Sequence, residues 1–389
     1  MKLNKKEENN MIKKKIIRIS TVPISLESLL KGQLKMLNEH YEVIAVSSPG
    51  KALDTVRQRE GVRTIAIPME RRISLLKDLF SLIRLIILFL RERPEMVHSI
   101  TPKAGLLSML AAWITRIPVR MHTFTGLIFP TASGKMQKLL ILTDKLTCAC
   151  ATHINPEGEG VKQDLQNYHI TRKPLYILAN GNVSGIDMSY YNRTPDILQE
   201  AQKYRQTGCF TFCFIGRIVR DKGINELIYA FQHLYQQYPH IQLLLVGPFE
   251  QKLDPITPDA EYMIFHHPAI RFMDFQPDVR PFLAASDALV FPSYREGFPN
   301  VILQAGAMGL PSIVTDINGC NEIIIPHKNG IIIPPRNKTA LYSSMEYFLS
   351  HPEDVMHMAS QARELVAARY DQHLVWDALL TQYKQILTQ

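Results

Sequence analysis

Short apolar runs of strand length alternate with amphipathic segments of helix length from one end of this chain to the other, a pattern that restricts it to parallel sheets covered by helices. In the first half the strand-like runs are Ile16 to Val22, Tyr41 to Ser47, Val62 to Ile67, Met96 to Ser99, Val119 to Thr123 and Cys148 to Ile154. A second series runs through Leu175 to Ala179, Phe210 to Ile215, Ile241 to Val246, Ile270 to Phe275, Ala288 to Phe291, Ser312 to Thr315 and Gly330 to Ile333. At 389 residues the chain exceeds the size at which single cores stop growing, roughly 250 to 300 residues, so the two series read as two domains. The expected division is 1–173 and 174–370, with the turn-prone stretch Tyr168 to Lys173 as linker. The helix-patterned tail 371–389 is expected to pack back on the first domain. The fold class is α/β, two Rossmann-like domains with parallel sheets facing a central cleft.

Charge divides along the same line. Residues 1–175 hold 28 Lys+Arg against 15 Asp+Glu, and the remainder 16 against 21, so the basic half is expected to face an anionic surface. Nucleic acid is excluded as that partner, because neither a basic strand rich in aromatics nor a zinc spacing is present. Met1 to Lys15 carries six lysines and reads as a tail without the apolar core of a secretory signal. Five cysteines without framework spacing fit a reducing compartment, and Cys148, Cys150 and His153 read as buried groups rather than zinc ligands. The most apolar segment, Leu75 to Leu90, falls short of a spanning helix and contains Lys77, Asp78 and Arg84. Its apolar stripe is broader than packing on one sheet requires. A buried core helix and a helix lying in a membrane interface both remain open for it.

Between the first two strands, Ser25-Leu26-Glu27-Ser28 reads as a helix start. The loop before it, Thr21-Val22-Pro23-Ile24-Ser25, contains no glycine, so the dinucleotide fingerprint is absent. The chemistry concentrates in three later places. Tyr294-Arg295-Glu296-Gly297-Phe298-Pro299-Asn300 follows the strand-like run Ala288 to Phe291, which sets the Glu296 carboxylate at a strand's carboxyl edge. A helix over Val301 to Met308 would aim free amides at whatever Glu296 touches. Gly216-Arg217 and Lys222-Gly223 follow the run Phe210 to Ile215 and put two cations at the same edge, ahead of a helix from Asn225, an arrangement suited to a diphosphate. In the first half, Arg120 to Gly126 presents His122 at the end of a strand, while His98 reads as a structural histidine with satisfied nitrogens. The turn-rich stretch Asn180 to Asp187 leads into the second domain.

Gly216-Arg217 with Lys222-Gly223, the turn from Glu296 to Asn300, Asn180 to Asp187 and His122 together resemble the group 1 glycosyltransferases, glycosyltransferase family 4, of GT-B fold. The resemblance implies a retaining transfer of a hexose or N-acetylhexosamine from a nucleotide-sugar, UDP-linked by expectation. The implied acceptor is a saccharide on a polyprenyl diphosphate carrier in bacterial surface polysaccharide biosynthesis, met at the inner face of the cell membrane by a cytoplasmic, peripheral enzyme. It implies that Arg217 and Lys222 hold the donor diphosphate, Glu296 the sugar hydroxyls, and His122 the face of the reacting sugar. Gly216, Phe298, Pro299, Asn300, Val301 and Gln304 complete the donor site. One departure is Gln304, where the family pattern has a second glutamate on the ribose; glutamine keeps the hydrogen bonds and loses the charge. No Asp-x-Asp pair occurs, so no metal and no cofactor are expected. A non-catalytic sugar-nucleotide-binding scaffold is the alternative, supported by Gln304.

Overall fold

The computed structural model describes residues 13–70, 74–250, 252 and 254–388. It divides into two compact units, one formed by the described residues of Met1–Glu157, Val161–Ala179 and Val375–Gln389, the other by Gly158–Gly160 and Asn180–Leu374. Each contains one six-stranded sheet in which every pairing among the described residues is parallel.

In the first unit β1 (Lys15–Ile19), β2 (Glu42–Ser47), β3 (Arg63–Ala66), β4 (Met96–Ile100), β5 (Val119–Phe124) and β6 (His153–Pro156) lie in the order β3-β2-β1-β4-β5-β6. Each strand offers alternate residues to opposite faces. One face carries Ile17, Ile19, Ile44, Val46 and Val97 into a core shared with the helices Leu75–Glu92, Pro102–Ile114 and Gly134–Cys150. The other carries Arg18 and His98, paired in register, and meets the C-terminal helix Gln372–Thr388. There the Tyr383 hydroxyl accepts from Arg18 Nη1 at 3.0 Å and also meets His98 Nδ1, while His98 Nε2 pairs with Thr123 Oγ1 at 2.8 Å. Both nitrogens of His98 are therefore engaged. The ends of β1 and β6 differ from the sequence reading: Lys15, expected to close a tail over Met1 to Lys15, already belongs to β1, and residues 1–12 of that tail lie outside the described residues.

Of the expected strands, Cys148 to Ile154 is shortened and shifted, and Leu175 to Ala179 does not form. Cys148 and Cys150 close the helix Gly134–Cys150, and β6 begins only at His153. A helical turn and a short strand both bury residues two apart here, so the apolar run alone could not tell them apart. Leu175 makes a single bridge to Ile154 in the first unit, and the chain then turns at Ala179, whose φ is +49°. The helix start also moves: Pro23 opens Pro23–Leu29 at its first position, where a missing N–H costs nothing, and Gly32 at φ +77° separates it from Gln33–His40.

In the second unit β7 (Phe210–Ile215), β8 (Ile241–Val246), β9 (Ile270–Met273), β10 (Ala288–Phe291), β11 (Ser312–Thr315) and β12 (Gly330–Ile333) take the order β12-β11-β10-β7-β8-β9. The four inner strands β7, β8, β10 and β11 are almost wholly buried on both faces, which is why they appear in the sequence as continuous apolar runs. Chain order runs outward from β7 through β8 to β9, and from β10 through β11 to β12. The direction of winding therefore reverses between β7 and β10, and a crevice at the carboxyl end of such a pair is where open α/β sheets bind ligands.

Candidate active site

The loops that leave β7 and β10 meet at that reversal. Gly223 makes the meeting possible: its φ is +71°, and a Cβ there would stand 2.1 Å from the carbonyl oxygen of Pro292. The contact is tied by Tyr294 N donating to Asp221 O at 2.8 Å and by Arg295 Nε donating to Asp221 Oδ2 at 3.2 Å. Lys222 Nζ consequently reaches Glu296 and donates to its Oε1, with both side chains about one-sixth exposed, 16% and 17%. Ser293 Oγ donates to the same Glu296 oxygen at 2.8 Å. Lys222 also lies over the Phe291 ring, 5.1 Å from its centroid. The cation and the carboxylate, 74 residues apart in sequence, thus form one largely desolvated pair.

Arg217 takes a different partner. Its Nη1 donates to Glu250 Oε2 at 3.0 Å, on the loop after β8, and its side chain is 48% exposed. That loop is held close by the bridge between Ile218 and Phe249. Gly216 is pressed by the same approach, since a Cβ on Gly247 would lie 2.0 Å from its carbonyl oxygen.

Beyond Glu296 the helix is Asn300–Ala307, beginning one residue before the expected Val301, with Pro299 at its N-cap and no side chain capping it. The first amides of this helix, at Asn300 and Val301, are accordingly of the kind that receives an anion. Asn300 is itself fixed, accepting at Oδ1 from Asn182 Nδ2 at 2.7 Å. Asn182 sits at φ +67° and accepts with its own Oδ1 from Ser184 N and Gly185 N. Phe298 is buried, its ring edge-on to Tyr370 at 5.5 Å, so it supports the turn from below. Gln304 lies half-buried on the second turn of the helix. Cys320, buried beside these groups, has its thiol pushed well up by burial, with the Glu296 charge adding to the effect, and stays protonated.

In the first unit, His122 lies within β5 and is buried. Its Nδ1 pairs with Ser99 Oγ at 2.8 Å, and its ring rests on Gly105, where a Cβ would come within 2.3 Å of Cε1. Burial lowers its pKa to about 3, opposed by a hydrogen bond to the Ser99 backbone, so the ring is neutral. None of Ser99, Gly105, Ser293, Asn182 and Glu250 carries a site role in the sequence. Asn182 lies inside the turn-rich stretch Asn180 to Asp187 and Ser293 directly before the Tyr294 turn, whereas Ser99, Gly105 and Glu250 reach their partners from other strands, helices or loops and leave no local signal.

Two six-stranded parallel sheets of this order, flanked by helices, define an α/β protein of the GT-B fold. The comparisons with known proteins agree. Residues 197–365 match the family described as "Glycosyl transferases group 1", and residues 32–181 match "Glycosyl transferase 4-like domain". The chain belongs to the group 1 glycosyltransferases. It is 30% identical to the capsular polysaccharide biosynthesis glycosyltransferase CapM of Staphylococcus aureus over 97% of this chain and 98% of that one. It is 26% identical, over 81% of this chain and 84% of the relative, to an Escherichia coli protein named UDP-Gal:alpha-D-GlcNAc-diphosphoundecaprenol alpha-1,3-galactosyltransferase. Its fold is similar to that of Anabaena Alr3699/HepE, solved with UDP and glucose, with a TM-score of 0.81, 16% identity, and 96% and 100% of the two chains covered.

Proposed function

We propose that this chain is a retaining glycosyltransferase that moves a hexose or N-acetylhexosamine from a UDP-linked donor to a saccharide carried on a polyprenyl diphosphate, in bacterial surface polysaccharide biosynthesis. The observation that carries the reading is the pairing of Lys222 with Glu296 at the winding reversal of the second sheet. The names of the Staphylococcus aureus and Escherichia coli relatives support the pathway, the UDP donor and the lipid-linked acceptor.

In this reading Lys222 and Arg217 bind the donor diphosphate and stabilise the charge that grows on it as the bond to the sugar breaks. Glu296 accepts hydroxyls of the donor sugar, the amides of Asn300 and Val301 hold sugar and phosphate, and Gln304 takes the ribose. Gly216 allows the close backbone approach, while Phe298 and Pro299 shape the turn. His122 keeps the role that the resemblance implies, as a neutral ring rather than a proton donor near neutrality. The acceptor oxygen attacks the anomeric carbon on the face the nucleotide leaves, and its proton passes to the departing β-phosphate. The two cations supply the electrostatics that a divalent ion supplies elsewhere, so no metal or other cofactor is required. The acceptor lipid places the enzyme in the cytoplasm, peripheral on the inner face of the membrane; among the described residues no helix is long and apolar enough to cross one.

A panel of UDP-sugars with a polyprenyl-diphosphate-linked saccharide tests this reading, with the anomeric configuration of the product read by NMR. An inverted product overturns the mechanism. Gln304 favours the competing scaffold reading, which requires that no nucleotide be released from any donor with or without acceptor.

A further inference from the structure

The first unit carries an exposed apolar surface that the nucleotide-sugar chemistry does not use. The helix Leu75–Glu92 buries Ser81, Leu85, Leu88 and Phe89 and turns Leu75, Leu76, Leu79 and Phe80 outward, at 82%, 74%, 53% and 66% exposure. This settles the alternatives left open by its sequence against a buried core helix. The helix Gly134–Cys150 repeats the arrangement: Thr147, Cys148 and Cys150 point inward, and Met136, Leu139, Leu142 and Leu146 point out. Between them packs Pro102–Ile114, whose end exposes Trp113 at 57% and Ile114 at 46%. All three helices share the core on one face of the first sheet, so their outer sides adjoin.

The unpaired charges around this surface have one sign, since exposed Glu70 is paired with Lys77. Arg84, Arg91, Arg116, Lys135, Lys138 and Lys145 are exposed and have no carboxylate partner among the described residues. The acidic groups on the same helices are otherwise engaged: Asp78 pairs with Lys103, and Glu92 with Lys15 and Arg63. Asp144, raised to about 7 by burial, is only partly charged at neutrality. A second copy of the chain would bring like charges together, which opposes self-association. Large apolar side chains ringed by unpaired lysine and arginine match a membrane interface, where the former enter the acyl boundary and the latter meet anionic headgroups.

We infer that the outer sides of Leu75–Glu92, the end of Pro102–Ile114 and Gly134–Cys150 form one surface that docks the chain on an anionic phospholipid bilayer. Both amphipathic helices lie in the interface, and Trp113 lies between them. The inference deepens the lipid-linked acceptor reading and rests on it for its purpose, while binding itself is measured without donor or acceptor.

The chain has two tryptophans. Trp376, on the C-terminal helix, rests against Gly32 on the opposite side of the first sheet from these helices. Full-length Trp376→Phe therefore reports from Trp113 alone, and Trp113→Phe from Trp376 alone. On phosphatidylcholine vesicles containing phosphatidylglycerol with brominated acyl chains, Trp113 emission is expected to be quenched and Trp376 emission unchanged. Leu139→Glu/Leu142→Glu and Leu79→Glu/Phe80→Glu, all at exposed positions, are each expected to lower vesicle partitioning at least about tenfold. Vesicles lacking phosphatidylglycerol should bind several-fold more weakly. Equal quenching of both tryptophans, wild-type partitioning of Leu139→Glu/Leu142→Glu, or a vesicle-free dimer dissolved by that variant overturns the inference. Turnover on a water-soluble saccharide separates the two proposals. Normal turnover without vesicle binding sinks the docking surface alone, and vesicle binding without turnover on any donor sinks the functional reading alone.

Discussion

Removing the Lys222 ammonium tests the site at its centre. Exposed ion pairs contribute about 0 to 1 kcal/mol, and breaking a fully buried pair costs about 3 to 5 kcal/mol. With both partners about one-sixth exposed and Ser293 Oγ still donating to Glu296, Lys222→Met should cost about 2 kcal/mol of stability. Glu296→Gln keeps a group for Ser293 and should cost about 1 kcal/mol. Because the two side chains are in contact, the double variant should recover part of the summed loss, a coupling of about 1 kcal/mol in urea melts. Turnover should behave differently. A donor aimed at developing negative charge contributes about 2.7 to 4 kcal/mol to the barrier, so Lys222→Met should lose at least about a hundredfold in kcat with donor saturating. The double variant should not recover it, since under the proposed mechanism the diphosphate, not Glu296, is the partner of Lys222 in the transition state. Nucleotide release, followed continuously under saturating donor and acceptor, measures this. Turnover of Lys222→Met within about threefold of wild type would refute the reasoning, because a loss of transition-state stabilisation of that size cannot be hidden by tighter donor binding.

Gly105→Ala drives a methyl carbon to 2.3 Å from His122 Cε1, so the ring must move; we expect a loss of about 1 to 3 kcal/mol in stability. Turnover should fall while affinity for free UDP, measured calorimetrically, stays at the wild-type value. Acid should weaken the fold through the same histidine. With a folded pKa of about 3 against an ordinary 6.5, the unfolded chain takes the proton first, so stability is full above 6.5 and is lost as pH falls from there toward 3. Urea midpoints should drop by the equivalent of about 2 kcal/mol between pH 8 and pH 5 from His122. His98, also held neutral by burial, adds in the same direction, and His122→Gln should flatten the profile. Gln304→Glu restores a charged acceptor on the first helix of the site and should lower the donor KM about fivefold with kcat unchanged, the value of roughly 1 kcal/mol for charging one hydrogen bond. An unchanged or raised KM would detach residue 304 from the ribose.

How much of this was legible in the chain depends on whether a position is governed by its neighbours in sequence or by distant contacts. Ile241–Val246, Ala288–Phe291 and Ser312–Thr315 coincide with runs read from the sequence because central parallel strands are buried on both faces and leave an unbroken apolar signature. Cys148 and Cys150 carry the same signature for another reason, as the inward side of the last turn of Gly134–Cys150, and nothing local separates the two cases. The same division holds within the site. Glu296 and Lys222 could be placed at one edge because each follows a strand closely, but Arg217, equally close to its strand, is drawn to Glu250 by a loop that comes from β8. His122 shows the limit most clearly. Its position at a strand near a glycine-bearing turn was visible, whereas its burial and neutrality follow from which face of β5 it occupies and from a glycine one helix away. A motif therefore fixes where the backbone brings a side chain, and the residues that set its charge and orientation must be sought on the elements packed against it.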